Sequence, residues 1–203
     1  MSETTASAFM KLVAGRRGHF RLESGYHGAL WLDLDALFVE PKRIAPFVAA
    51  LTGAIREYDV SAVCGPLLGG AFLAQLVAQA LDVEFWYMER VMPASVLANG
   101  LYPVRYVLRP VIAARAHERR VAVVDDAMSA GSALRGTFAE LRAHGARPVV
   151  AAAILVLGTT GADFFARHSV PVEAVAREPY DLWAPGECPL CADGVPLETP
   201  GGG

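Results

Sequence analysis

Apolar positions along the chain fall into alternating helical and strand rhythms. Between residues 41 and 57, Ile44, Phe47, Val48, Leu51 and Ile55 recur at helical spacing behind Pro41, which predicts a helix with one apolar face. A short β-type run over 60–64 follows and stops at Gly65-Pro66; a helical pattern then occupies 70–81. The aromatic-rich run 83–88 predicts a strand, and the four apolar residues 121–124 predict a buried one. Small residues over 127–132 predict a loop, and 133–144 a helix ending at Gly145. A buried strand over 149–157 and a short last strand over 172–175 complete the set. Strands alternating with helices imply right-handed crossovers, hence an α/β protein with a parallel sheet covered on both faces.

Two stretches break this rhythm. Residues 18–38 read as a hairpin or small cap. Residues 91–106 hold two prolines, Asn99 and Gly100 with weak periodicity, which predicts a long loop and a candidate lid. The chain reads as one domain over 1–203, with a core at 39–171 and a hood or cap built from 1–38 and about 172–203. No internal repeat occurs, and the tail ETPGGG is expected to fray.

Composition narrows the function classes. A charged fraction of 19% in an Ala-, Val- and Leu-rich chain of 203 residues suits a packed α/β domain and not a disordered one. The formal net charge is -3 and no Lys/Arg run exceeds two residues, which argues against a nucleic-acid partner. The start, MSETTASAF, has no basic region ahead of an apolar core, so no secretory signal is expected. Residues 64–81 lack charge but carry Pro66, three glycines and two glutamines, and 148–158 is too short to span a bilayer. A soluble, cytoplasmic protein without a membrane partner is the expectation.

The cysteines, Cys64, Cys188 and Cys191, are odd in number and form no disulfide framework. Cys188 and Cys191 make a lone CxxC in CPLC. A zinc site needs two more ligands, and candidates such as His168 are scattered, so CPLC reads as a tight turn and no metal ligand is assigned.

The segment VAVVDDAMSAGSA, over 121–133, carries the chemistry. An apolar strand delivers Asp125 and Asp126 to its carboxyl end, where open α/β sheets bind ligands. Small residues follow, and their amides can form an anion nest completed by the N-terminus of the next helix. Ser129 and Ser132 add hydroxyl donors. Adjacent acids at a strand end are commonplace by themselves, and small residues often start helices by simple capping. Strand, acid pair, small-residue loop and helix in one run instead suit a phosphorylated sugar, with a phosphate at one end and vicinal hydroxyls at the other. No GxxxxGK and no GxGxxG is present.

DDAMSAGSA resembles the phosphoribosyl pyrophosphate motif of type I phosphoribosyltransferases. Over nearly its full length the chain resembles the orotate phosphoribosyltransferases: GHFRLESGYHGALWLD is similar to their hood segment, CGPLLGGAFLA to their pyrophosphate loop, and YMERVMPAS with YVLRP and CPLCADGVPLETPG to a subgroup with an ER…LR pattern. The resemblance implies the type I phosphoribosyltransferase fold: a central parallel sheet flanked by helices, with a small hood. It implies transfer of a phosphoribosyl group to a nitrogenous base, orotate foremost. It further implies that Asp125 and Asp126 hold the ribose hydroxyls and that Ala127, Met128, Ser129, Ala130, Gly131, Ser132 and Ala133 hold the 5′-phosphate, with Ser129 also near the base. Gly65, Pro66, Leu67 and Leu68 would approach pyrophosphate through backbone amides, Arg90 and Arg109 would supply cations, and Ser24 and Gly25 would line the base pocket. Mg²⁺ would arrive on the pyrophosphate, and the protein would be a homodimer.

The chain departs from this pattern in places. Residues 91–106 contain no Lys and no His, and Arg105 is their one cation. The strand after the motif ordinarily ends in Asp-Arg, whose arginine grips the orotate carboxylate; here Leu157-Gly158 stands at that point. Glu23 stands where some relatives place a lysine, and Trp31 lies nearby, a combination that favours a neutral base. Two alternatives therefore stand beside orotate transfer: a family member with a different acceptor base, and a non-catalytic sensor of phosphoribosyl pyrophosphate.

Overall fold

The computed structural model describes residues 5–13, 15–22, 24–91 and 105–199. The chain begins with α1 (Thr5–Leu12) and the hairpin β1 (Arg16–Arg21) and β2 (His27–Trp31). The core runs α2 (Pro41–Ile55), β3 (Ala62–Pro66), α3 (Gly69–Leu81), β4 (Glu84–Val91), β5 (Arg105–Leu108), α4 (Pro110–Ala113), β6 (Arg120–Met128), α5 (Ser132–Ala143), β7 (Arg147–Leu157), α6 (Thr160–Arg167) and β8 (Val172–Glu178). Then come β9 (Leu182–Trp183) and α7 (Pro189–Ala192).

The large sheet has the order β5-β4-β3-β6-β7-β8. All its ladders are parallel except β4–β5, which is antiparallel, so the sheet is mixed and mostly parallel. Alternation along the strands explains its two buried faces. Val63, Ala122 and Val124 pack with Leu51, Leu73 and Val77 on the α2/α3 side. Ala62, Cys64, Val121 and Val123 pack with Leu134, Phe138 and Leu141 on the α5 side. A second, three-stranded antiparallel sheet, β1-β2-β9, forms the hood.

Several boundaries differ from the expectations. The strand read over 121–124 continues through the acid pair to Met128, because Ala127 and Met128 keep pairing with Leu155 and Val156 of β7. The loop expected over 127–132 shrinks accordingly, and α5 already starts at Ser132. β8 runs to Glu178 and forms the edge of the large sheet, so the stretch near 172 belongs to the core and not to the cap. Of the loop expected over 91–106, residues 92–104 lie outside the described residues, while Val91 pairs with Arg105 and Arg90 with Tyr106. The end of the tail, from 200 on, also lies outside them. Among the described residues, no helix is long and apolar enough to cross a membrane.

Candidate active site

In the parallel part of the large sheet the order is β4-β3-β6-β7-β8. From β3 the chain turns into α3, whose Leu73, Ala74 and Val77 pack on one face. From the neighbouring β6 it turns into α5, whose Leu134, Phe138 and Leu141 pack on the other. The carboxyl ends of β3 and β6 therefore flank the point where the connections diverge, and open α/β sheets bind their ligands in that crevice.

Asp125 and Asp126 stand at this point, 9% and 7% exposed. Each carboxylate is steadied by the next backbone amide. Asp126 N–H donates to Asp125 Oδ1 at 3.1 Å, and Ala127 N–H to Asp126 Oδ1 at 2.7 Å. The first turn of α3 presses on both. A Cβ built on Gly70 would lie 2.7 Å from Asp125 Oδ1, and one on Gly69 would run into the Asp126 carboxylate. Only glycine lets the amide-rich helix start come this near, and the positive end of α3 favours the charged acids.

The loop between β6 and α5 is short. Ser129 and Ala130 bend, Gly131 adopts a left-handed conformation with φ 71°, and α5 starts at Ser132. Ala130 and Gly131 are buried, while Ala127, Ser129, Ser132 and Ala133 are half-buried. The first amides of α5 have no intrahelical acceptor and point out of the helix start toward the place of an anion. Met128, by contrast, is buried in the second apolar cluster, which leaves only its backbone as a candidate contact. A partner that sequence reasoning missed is Gly161 in α6. Its N–H donates to Ser129 O at 3.0 Å, and a Cβ there would stand 2.8 Å from that oxygen. The two glycines Gly158 and Gly161, which bracket GTTG just past the buried strand, are the signal the sequence offers.

The segment Gly65, Pro66, Leu67 and Leu68 offers fewer amides than expected. Pro66 has none, and Leu67 N–H already donates to Met88 O at 3.0 Å. Gly65 lies inside β3, where a Cβ would collide with the Gly70 carbonyl. The amides at the crevice are those of Leu68, Gly69 and Gly70, ahead of the first bonded helical amide, Ala71 N–H to Leu68 O at 3.1 Å.

Arg90 is half-buried on the part of β4 that extends past the end of β3. Arg109 lies at the surface, 3.3 Å from Glu89 in an exposed ion pair. Ser24 and Gly25 form the tip of the hood hairpin: Gly25 has φ 85° and donates to Leu22 O at 2.9 Å. They belong to a different sheet from the acid pair. Glu23 lies outside the described residues. Gly158 ends β7 with φ 66° and its N–H donates to Glu178 O at 2.9 Å.

The expectation that CPLC lacks companions is overturned. His19 and His27, from the hood hairpin, stand with Cys188 and Cys191, and their ligand atoms all lie within 4.8 Å of one another.

No family model matches the chain. The orotate phosphoribosyltransferase of Thermotoga petrophila is 30% identical over 193 residues, covering 94% of this chain and 94% of that protein. That of Caldanaerobacter subterraneus is 28% identical over 199 residues, covering 98% and 96%. Among solved structures, orotate phosphoribosyltransferase from Aeropyrum pernix superposes with a TM-score of 0.63 at 23% identity, covering 86% of this chain and 94% of that one. Adenine phosphoribosyltransferase from Trypanosoma brucei, in complex with AMP, pyrophosphate and ribose-5-phosphate, gives 0.63 at 15% identity, covering 86% and 79%. These two likenesses bear on the fold, the α/β type I phosphoribosyltransferase fold with a small antiparallel hood. By its near-complete match to the Thermotoga protein, the chain belongs to the orotate phosphoribosyltransferase family.

Proposed function

We propose that this chain transfers the 5-phosphoribosyl group from phosphoribosyl pyrophosphate to orotate, giving orotidine monophosphate and pyrophosphate, a step of pyrimidine biosynthesis. The observation that carries the proposal is the pair Asp125 and Asp126, held in the C-terminal half of β6 against the start of α3. The two carboxylates accept hydrogen bonds from the vicinal ribose hydroxyls. The amides of residues 129–133, with the Ser129 and Ser132 hydroxyls, receive the 5′-phosphate. The amides of Leu68, Gly69 and Gly70 face the pyrophosphate.

In the reaction the bond from the ribose C1 to pyrophosphate oxygen breaks, and a ring nitrogen of the base attacks C1 from the opposite side while its proton passes to solvent or to the departing pyrophosphate. Positive charge grows on the sugar ring, beside two fixed carboxylates, so catalysis rests on positioning and electrostatics. Arg90, half-buried on the part of β4 past the end of β3, is the first candidate cation for the leaving group. Arg109 serves there only by exchanging Glu89 for the phosphate oxygens. Amide donors at Leu68–Gly70 suit an anion and not a bare cation, which fits Mg²⁺ arriving on the pyrophosphate and neutralising its charge when bound. Ser24, Gly25 and Ser129 are assigned to the base. A cytoplasmic setting and a homodimer belong to the same reading.

Gly158 favours a second reading with a different acceptor. The carboxylate-gripping arginine expected about that position is absent from Leu157-Gly158. Incubation with phosphoribosyl pyrophosphate, Mg²⁺ and a panel of bases, with pyrophosphate release as readout, separates the two. Release with orotate is expected. Release with another base alone moves the acceptor, and no release with any base, despite donor binding, overturns the transferase reading.

A further inference from the structure

Four potential ligands converge where the hood meets the C-terminal segment. His19 and His27 come from adjacent strands of the hairpin. β1 carries a register shift between Arg17 and Phe20, and such a bulge re-aims the side chains within it. Cys188 and Cys191 flank the first turn of α7. His19, His27 and Cys188 are 1%, 3% and 4% exposed, and only Cys191 reaches the surface.

Four of their six spacings match the edges of a coordination shell, and all six lie within 4.8 Å. With Zn–N of about 2.0–2.1 Å and Zn–S of about 2.3 Å, the edges of a tetrahedron run from about 3.3 to about 3.8 Å. His19 Nε2 lies 3.2 Å from His27 Nδ1 and 3.3 Å from Cys188 Sγ. Cys191 Sγ lies 3.3 Å from His27 Nδ1 and 3.7 Å from His19 Nε2.

Hydrogen bonding sets the donor atoms. His19 Nδ1 is 2.8 Å from the Val195 carbonyl, which can only accept, so Nδ1 carries the proton and Nε2 presents its lone pair to the cluster. An outer backbone carbonyl of this kind is the usual support of a ligating histidine. One lone pair facing an imidazole nitrogen and two sulfurs accepts a single hydrogen bond, whereas one cation satisfies all four groups. Two thiolates also balance a divalent ion, leaving no net charge to bury.

We infer that His19, His27, Cys188 and Cys191 form a Cys₂His₂ zinc site that fastens the hood hairpin to the C-terminal segment. Tetrahedral S₂N₂ ligation selects zinc, and four protein ligands leave no open position, so the ion is structural. The two thiols give up their protons to solvent on binding. The fastening works alongside a short backbone zipper, in which Arg21 N–H donates to Glu198 O and Glu198 N–H to His19 O, each at 2.8 Å. None of this depends on the transferase reading.

The test measures metal in the whole protein, purified under reducing conditions without chelator. Elemental analysis is expected to find about one zinc per chain. Replacement by Co²⁺ is expected to yield visible tetrahedral d–d bands and a near-ultraviolet sulfur-to-cobalt charge-transfer band. Cys191→Ser, at the exposed corner, is expected to lower retained zinc on the order of tenfold or more. Cys64→Ala, buried in the core away from the cluster, is expected to retain it. No stoichiometric metal in the wild-type chain after reconstitution with zinc overturns the inference. So does a cobalt form without the thiolate band, or a Cys188–Cys191 disulfide in protein never exposed to oxidant.

Discussion

Gly158 abuts the backbone of Tyr180 so closely that a Cβ on the glycine would stand 2.5 Å from the Tyr180 carbonyl oxygen. The other end of the same tyrosine reaches the hood. Its hydroxyl donates to Leu30 O at 2.9 Å, and a Cβ on Gly28 would run into that hydroxyl. Tyr180 is therefore clamped between the end of a core strand and a hood strand. Gly158→Ala combines this collision with a left-handed φ, and a loss of about 1–3 kcal/mol is expected. Thermal unfolding checks it; an unchanged midpoint would show that the contact yields freely.

The acid pair is tested by Asp125→Asn together with Asp126→Asn. Each asparagine keeps an oxygen for the backbone amide its aspartate now accepts, so the fold is expected to hold. Affinity for phosphoribosyl pyrophosphate is expected to fall by roughly tenfold or more, since two charge-assisted hydrogen bonds to the ribose are weakened. Titration calorimetry reads the change, and equal affinity in mutant and wild type refutes the role.

Gly69→Ala separates stability from binding. Alanine is a better helix former than glycine by about 1 kcal/mol, which opposes a loss of stability. Its Cβ nevertheless enters the space of the Asp126 carboxylate. Donor binding is expected to weaken on the order of tenfold, with little change in unfolding midpoint. A large drop in stability with normal binding would place the contact in the scaffold instead.

Glu84 governs part of the acid response. Hydrogen bonds from Arg115, opposed by desolvation and assisted by Trp86 and the Arg119 charge, hold its carboxyl down at about 2, against an ordinary value of 4.5. Because the folded value is depressed, the contribution is complete above about pH 4.5 and disappears as pH falls toward about 2. Glu84→Gln is expected to cost about 1 kcal/mol at pH 7, after solvent screening of a partly exposed network. Urea titrations of both proteins from neutral to acid pH should show the gap closing through that window. A gap that stays constant would contradict the ion-pair origin.

Local pattern carried much of the core. The 3.6-residue spacing from Ile44 to Ile55 and the buried run ahead of Asp125 both predicted their elements, because each buries a face that the pattern itself displays. The extension of β6 to Met128 is hidden in the sequence, since two charged aspartates interrupt the apolar run and Ala127 begins a stretch of mostly small residues, until β7 supplies a partner ladder. The α6 start was hidden for a related reason: Gly161 marks contact with Ser129, a relation that spacing does not express. Spacing hides the companions of the cysteine pair, because His19 and Cys188 stand 169 positions apart, a separation that only strand pairing and docking of the C-terminal segment close. Amide use at Leu67 likewise required knowing where Met88 lies.

The hood draws β1 and β2 from the beginning of the chain and β9 from near its end. During synthesis every strand of the large sheet leaves the ribosome before Leu182 does. The hood sheet therefore stays one strand short until residues 182–183 emerge. A chain clipped near residue 180 would lose β9, and with it the third strand of the hood sheet.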